Sequence, residues 1–205
     1  MFSYTIPYFL QRLAKSYTWK VKTNDKKLYL TFDDGPHPLI TPWVLNQLAI
    51  YNAGATFFCV GDNVRKFPET YREVLAGKHA VGNHTYHHVS GWKCSLADYR
   101  KEIKEAALLI HSPLFRPPYG QIKPCHGRFL KSEYQIIMWN YLSGDFDKNL
   151  KRNESLEAMK KAGPGSIMVF HDNEKAFENL QILLPEILRY FSLKGYTFDT
   201  IPYLK

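Results

Sequence analysis

The sequence predicts an α/β fold, a parallel sheet covered by helices. Three observations carry that expectation. Short apolar runs of strand length alternate with helical patterns between residues 27 and 201, the helical stretches carry their own start signals, and no Pro/Gly/Ser-rich linker, low-complexity segment or fixed-period repeat breaks the order. With 205 residues and 45% hydrophobic content the chain can bury one sizeable core, so a single domain over 1–205 is expected, its core at about 27–201.

The elements follow in order. Over residues 6–19, Ile6, Phe9, Leu10, Leu13 and Tyr17 share one side of a helical wheel, with Arg12 and Lys15 off it. This predicts a short amphipathic helix that packs on the domain or lies on a membrane surface. The first strand is KLYLTF (27–32), and Thr41-Pro42 after it reads as a cap followed by Pro at the first helical position. ATFFCV (55–60) is the second strand, Pro68 opens the helix PETYREVLAG, and HAVGNH (79–84) is the third strand. Ser95 and Asp98 form a capping box that opens SLADYRKEIKEAALLI. LFRPP (114–118), QIIMWN (135–140) and SIMVFH (166–171) are the next three strands. A helix through EKAFENLQILLPEILRYFSL, with a bend expected at Pro185, precedes YTFDTI (196–201). Seven strands result, and periodicity alone leaves open whether the sheet closes.

Composition narrows the function. The formal net charge is +8 and the pI near 9.3, yet the basic residues are scattered. The densest runs, KVKTNDKK (20–27) and KNLKR (148–152), read as solvated faces, and no nucleic-acid-binding fingerprint accompanies them. Cys59, Cys94 and Cys125 are odd in number and widely spaced, which argues against a disulfide framework or a zinc knuckle. The N-terminus has no basic start, apolar core or small-residue cleavage site, and no stretch reaches the ~20 apolar residues that span a bilayer, so a cytoplasmic location is expected.

Polar residues cluster at the carboxyl ends of the predicted strands: Asp33 and Asp34 after the first, His84, His87 and His88 after the third, Arg116 after the fourth, Asp145 after the fifth, His171 and Asp172 after the sixth. Parallel α/β folds gather these ends at one rim, where active sites are built. His84 and His88 stand at i and i+4, so on one helical turn both imidazoles reach a common metal ion. An Asp from the first strand completes two nitrogens and one carboxylate and leaves coordination positions open, as catalytic sites do. Successive residues of an extended chain diverge, so one of the two aspartates anchors the ion while its neighbour takes a proton. An ion of this kind pulls the pKa of water from 15.7 towards about 7, within reach of a carboxylate base. Arg116 orients that base, and His171, tuned by Asp145, is suited to protonating a leaving nitrogen. Hydrolysis of an amide or ester fits this division.

The stretches TFDDGP, HTYHH, RPPYG, WNYLSGDFD and IMVFHD, in that order, resemble the five motifs of the polysaccharide deacetylase family, the NodB homology domain of carbohydrate esterase family 4. The resemblance implies a distorted (β/α) barrel of about seven parallel strands and removal of acetyl groups from N-acetylated sugars. It makes Asp33 the general base, oriented by Arg116, and His171 the general acid, tuned by Asp145. It gives Asp34, His84 and His88 a divalent ion, Zn²⁺ above all, with Co²⁺ or another first-row metal as alternatives. It places Tyr119, Trp139, Phe146 and Val169 against the substrate, the Tyr119 backbone N–H serving the oxyanion. The fourth motif departs from the family pattern Asp-x-x-Asp-Trp, having Leu142 and Phe146 at its first and last places, and Val169 stands where Leu is common. These changes reshape an apolar pocket and bear on substrate preference. An acetyl-ester deacetylase, a mononuclear iron oxygenase and a non-hydrolytic carbohydrate-binding relative are the competing readings. The second Asp, the Arg and the acid His weigh against the oxygenase, and a complete set of residues weighs against the non-hydrolytic relative.

Overall fold

Strand β1 (Lys27–Asp33) lies inside the sheet, and its period of two decides what each side chain meets. The computed structural model describes residues 4–77 and 79–203. Leu28, Leu30 and Phe32 join the largest apolar cluster, packed against Val44 and Leu48 of α2 (Ile40–Ile50) and Leu180, Leu184 and Ile187 of α8 (Phe177–Leu193). Tyr29 falls in a separate cluster with Phe58, Ile137 and Ile167, and Thr31 and Asp33, on the same side of the strand, meet Arg116.

On one side of β1 follow β2 (Ala55–Cys59), β3 (Ala80–Asn83), β4 (Leu114–Phe115) and β5 (Gln135–Ile136). On the other lie β7 (Ile167–His171) and then β6 (Tyr141–Leu142), while β8 (Thr197–Phe198) pairs with the first two residues of β1. All of these pairs are parallel, so the strands deliver their carboxyl ends to one rim of a distorted (β/α) half-barrel. Register builds the core: Phe32 is level with Phe57 and Phe170, and its ring stacks on theirs at centroid distances of 5.0 and 5.8 Å. Burying each such ring contributes roughly 1.5–3 kcal/mol.

The remaining helices are α1 (Tyr8–Leu13), α3 (Gly61–Lys66), α4 (Pro68–Ala76), α5 (Leu96–Ala107), α6 (Pro124–Leu130) and α7 (Arg152–Met159). Pro68 opens α4 and Ser95 caps α5 by accepting from the Asp98 N–H, as expected. Thr41 is not a cap: α2 starts at Ile40, and the Thr41 hydroxyl instead donates to Asp172 at 2.5 Å. Among the described residues seven parallel strands form the continuous path of the sheet, with β8 pairing β1 beside it; Tyr141–Leu142, not expected as a strand, joins that path by pairing with β7 at Met168 and Val169.

The N-terminal segment also differs from expectation. Its helix spans only Tyr8–Leu13, and Phe9, expected on the packed side, is 64% exposed; the side chains of Leu10 and Leu13 lie outside the described residues. Helix gives way to strand-like pairing because both sheet edges offer free backbone groups. The Leu142 N–H donates to the Tyr4 carbonyl beside β6, while Thr18 exchanges bonds with Ile136 and Met138 beside β5. One short segment thereby covers both edges. No helix among the described residues is long and apolar enough to cross a membrane.

Candidate active site

A cavity of about 420 Å³ opens at the rim, lined by Asp33, Asp34, His84, His88, Tyr119, Trp139, Leu142, Phe146, Val169, His171, Asn173 and Lys175. These residues are far apart in the chain, and the parallel strand order brings the segments that carry them to one rim.

Asp33 ends β1 with its side chain on the Arg116 side. Arg116 leaves β4, is fully buried, and its Nη1 donates at 2.7 Å to both Asp33 Oδ1 and Thr31 Oγ1. Its other nitrogens donate to the carbonyls of Ile137 and Met138, and its guanidinium carbon sits 4.1 Å from the Phe58 ring centre. The cation is thus fixed on every side. Burial pulls its pKa below the usual value, opposed by the charge and hydrogen bond of Asp33.

Asp34 leaves the strand direction at once. Its φ of 83° turns the chain, and its carboxylate faces two imidazoles, with Oδ1 3.0 Å from His88 Nε2 and 3.6 Å from His84 Nε2. Asn173 donates to the other oxygen at 2.6 Å. Burial works to raise the carboxyl pKa, but the His88 hydrogen bond and the charges of His171, His84 and His88 hold it well below the usual range.

The histidines do not share a helical turn. Residues 84–88 form a loop, with φ of 64° at Thr85 and 56° at His88, and this loop brings the two rings to a centroid distance of 5.0 Å. The expected pair of rings does come together, but from a loop rather than a helical turn. His84 Nδ1 lies 2.7 Å from the Arg116 carbonyl, which requires the N–H on Nδ1 and leaves a lone pair on Nε2 towards Asp34. Burial depresses His84 to about 4, so it is neutral at physiological pH. One donor atom each from Asp34, His84 and His88 lies within 4.8 Å of the others. Two imidazole nitrogens, the His84 one oriented through its second nitrogen, and a carboxylate oxygen fit a divalent cation with open positions. His87 points away to Glu102, its Nδ1 2.9 Å from Oε1.

Opposite stands His171. Its Nδ1 meets Asp145 Oδ1 at 2.7 Å, and its backbone N–H donates to the other Asp145 oxygen at 2.8 Å. Burial lowers the imidazole pKa, but Asp145, by charge and hydrogen bond, and then Asp34 and Asp33 raise it to about 9. Phe146 packs edge-on against that ring at 5.1 Å, and Val169 and Leu142 add apolar wall. Tyr119, at φ 60°, stands 63% exposed against His88 with ring centroids 4.6 Å apart.

Sequence reasoning missed two contributors, Thr31 and Asn173, and placed Asp172 on the rim rather than beneath it. Thr31 was detectable, two residues before Asp33 on one strand face. Asn173 gave no signal. Asp172 lies buried beneath the Asp33–Gly35 turn, where Oδ1 accepts from the Gly35 N–H at 3.0 Å, and a Cβ on Gly35 would stand 2.1 Å from Oδ2. Burial, with the Asp34 charge, raises Asp172 to about 7 against the hydrogen bond from Thr41.

A group of side chains that could hold a cation, a second carboxylate beside it and an imidazole of raised pKa facing both, on a (β/α) half-barrel, suit a hydrolase of acyl groups. Comparison with known proteins makes that class specific. The polysaccharide deacetylase family model matches residues 20–132, and the chain belongs to that family. It is 33% identical over 192 residues to a peptidoglycan-N-acetylglucosamine deacetylase of Bacillus cereus, covering 90% of each chain. It is 30% identical over 161 residues to a chitooligosaccharide deacetylase of Azorhizobium caulinodans, covering 75% of this chain and 77% of that one. The crystal structure of a peptidoglycan N-acetylglucosamine deacetylase bound to an N-oxidanyl-benzamide superposes with a TM-score of 0.85 at 28% identity, over 96% of this chain and 95% of that one.

Proposed function

We propose that this chain hydrolyses the acetamide of an N-acetylglucosamine-type residue within a glycan, releasing acetate and leaving a free amine on the sugar. The observation that carries the reading is the divergence of two adjacent carboxylates: Asp33 is committed to Arg116, and Asp34 to the imidazole pair.

Asp34, His84 and His88 would hold a divalent ion, with Zn²⁺ favoured by the nitrogen-rich donor set and Co²⁺ an alternative. Once bound, such an ion supplies Lewis acidity, lowering the pKa of water and polarising an amide carbonyl. Asp33, aimed by its hydrogen bond from Arg116, accepts the proton as water oxygen attacks the carbonyl carbon. The Tyr119 N–H, by the family resemblance, would stabilise the developing oxyanion. As the C–N bond breaks, His171 gives its Nε2 proton to the leaving nitrogen while Asp145 steadies the imidazolium through Nδ1. Leu142, Phe146 and Val169 enclose the acetyl methyl.

Acetate release from N-acetylated oligosaccharides, lost with chelator and restored by Zn²⁺ or Co²⁺, tests the reading. Release from acetyl esters but never from acetamides would replace it with the ester reading.

A further inference from the structure

A second cavity, of about 560 Å³, adjoins the catalytic one and shares His88 and Tyr119 with it; its other lining residues are Val89, Ser90, Lys93, Cys94 and Gln121. The two spaces form one groove with the exposed Tyr119 ring between them. The second has the size of a small-ligand site and is held in shape by its own contacts. The Ser90 hydroxyl donates to Gln121 Oε1 at 2.5 Å, and the Gly91 N–H donates to the Gln121 carbonyl at 3.0 Å. Gly91 is needed there, since a Cβ would stand 2.6 Å from that carbonyl.

The charge of this groove is one-sided. No carboxylate lines it, and Lys93 is exposed and makes no ion pair among the described residues. Two carboxylates on the adjoining helix are held by other partners: Asp98 accepts from the Ser95 hydroxyl at 2.6 Å, and Glu102 holds His87 through its ring and backbone. Across the catalytic cavity, Lys175 leans over Phe146 at 5.4 Å, so the groove carries a cation at each end. An aromatic face suits a sugar ring, and an unpaired ammonium suits an anion.

We propose that the cavity behind Tyr119 is a subsite for the sugar adjoining the one deacetylated, and that Lys93 there reads a carboxylate carried by that sugar. This rests on the deacetylase reading and sharpens it: the substrate is an acidic N-acetylated glycan rather than a neutral homopolymer.

The test compares three tetrasaccharides of equal length by acetate release at low salt. One is all N-acetylglucosamine, one alternates N-acetylglucosamine with N-acetylmuramic acid, and one is the second with its carboxylates converted to methylamides. The wild type should show a KM about three- to five-fold lower for the acid than for its methylamide, the scale of one partly exposed ion pair, with kcat little changed. K93Q should erase that gap, K93R should keep it, and about 0.5 M salt should shrink it in the wild type. Equal KM values for acid and methylamide in the wild type, or a gap that survives in K93Q, overturns the subsite proposal alone. No acetate from any of the three overturns the deacetylase reading, and the subsite with it.

Discussion

Replacing Arg116 by Met leaves an almost wholly buried Asp33 without its counter-charge. Asp33 is 5% exposed and Arg116 is 0% exposed, and the guanidinium supplies the 2.7 Å charge-assisted bond to Oδ1. Methionine fills much of the arginine volume, so the cavity cost is small and the loss is chiefly electrostatic. Removing one partner of a buried pair typically costs about 3–5 kcal/mol, because the survivor is an uncompensated charge. At about 2–4 °C per kcal/mol for a chain of this size, Tm should fall by roughly 6–20 °C. The cost is conditional on Asp33 being ionised. Because the penalty comes from an uncompensated negative charge, it should shrink as acid neutralises that charge. Asp33→Asn/Arg116→Met should be less destabilised than the sum of its single variants by more than about 1 kcal/mol. Urea melts of all four proteins from pH 4 to 8 measure this. An Arg116→Met penalty below about 1 kcal/mol, flat with pH and additive with Asp33→Asn, would refute the reasoning.

Asp145→Asn should move the alkaline limb of the pH–rate profile to lower pH by about one unit or more, since Asp145 leads the influences that raise His171 to about 9. The same elevation means that the stabilisation from this pair in the ion-free protein is complete below about pH 6.5 and fades as pH rises through about 9; a limb unmoved in Asp145→Asn would remove His171 from the acid role. Gly35→Ala should cost about 1–3 kcal/mol and lower kcat, because the added Cβ would lie 2.1 Å from Asp172 Oδ2; wild-type melting would show that the turn yields freely. Ser95→Ala should cost about 1 kcal/mol in chemical denaturation through the lost α5 cap, with kcat/KM unchanged.

What the sequence revealed tracks how local each cause was. β1, β2 and β7 were legible because each is a run of five to seven residues, nearly all buried. β6 was not: Tyr141–Leu142 is a strand only because Met168–Val169 lies on one side and the Tyr4–Thr5 backbone on the other. α3 and α6 are short, and α7 has little apolar periodicity, so tertiary packing rather than pattern makes them helices. In the site, ionisable residues at strand ends were readable one by one, since parallel topology sends them all to one rim. The backbone that presents them was not. The turn at Asp34 and the loop at 84–88 depend on positive φ angles that no spacing rule anticipates. Asp172 looked like one more rim carboxylate, yet it is buried beneath the turn, a placement that only the packed structure reveals.

The central claim is that adjacent aspartates have separate duties, one binding an ion and the other left free for a proton. The most direct measurement is a zinc-soaked crystal with anomalous scattering collected at the zinc edge, alongside zinc titrations of wild type, Asp33→Asn and Asp34→Asn. The account predicts one ion bonded to Asp34, His84 and His88, no bond from Asp33, and affinity that collapses in Asp34→Asn but holds within a few-fold in Asp33→Asn. Zinc bonded through Asp33, or affinity lost equally in both variants, would contradict it.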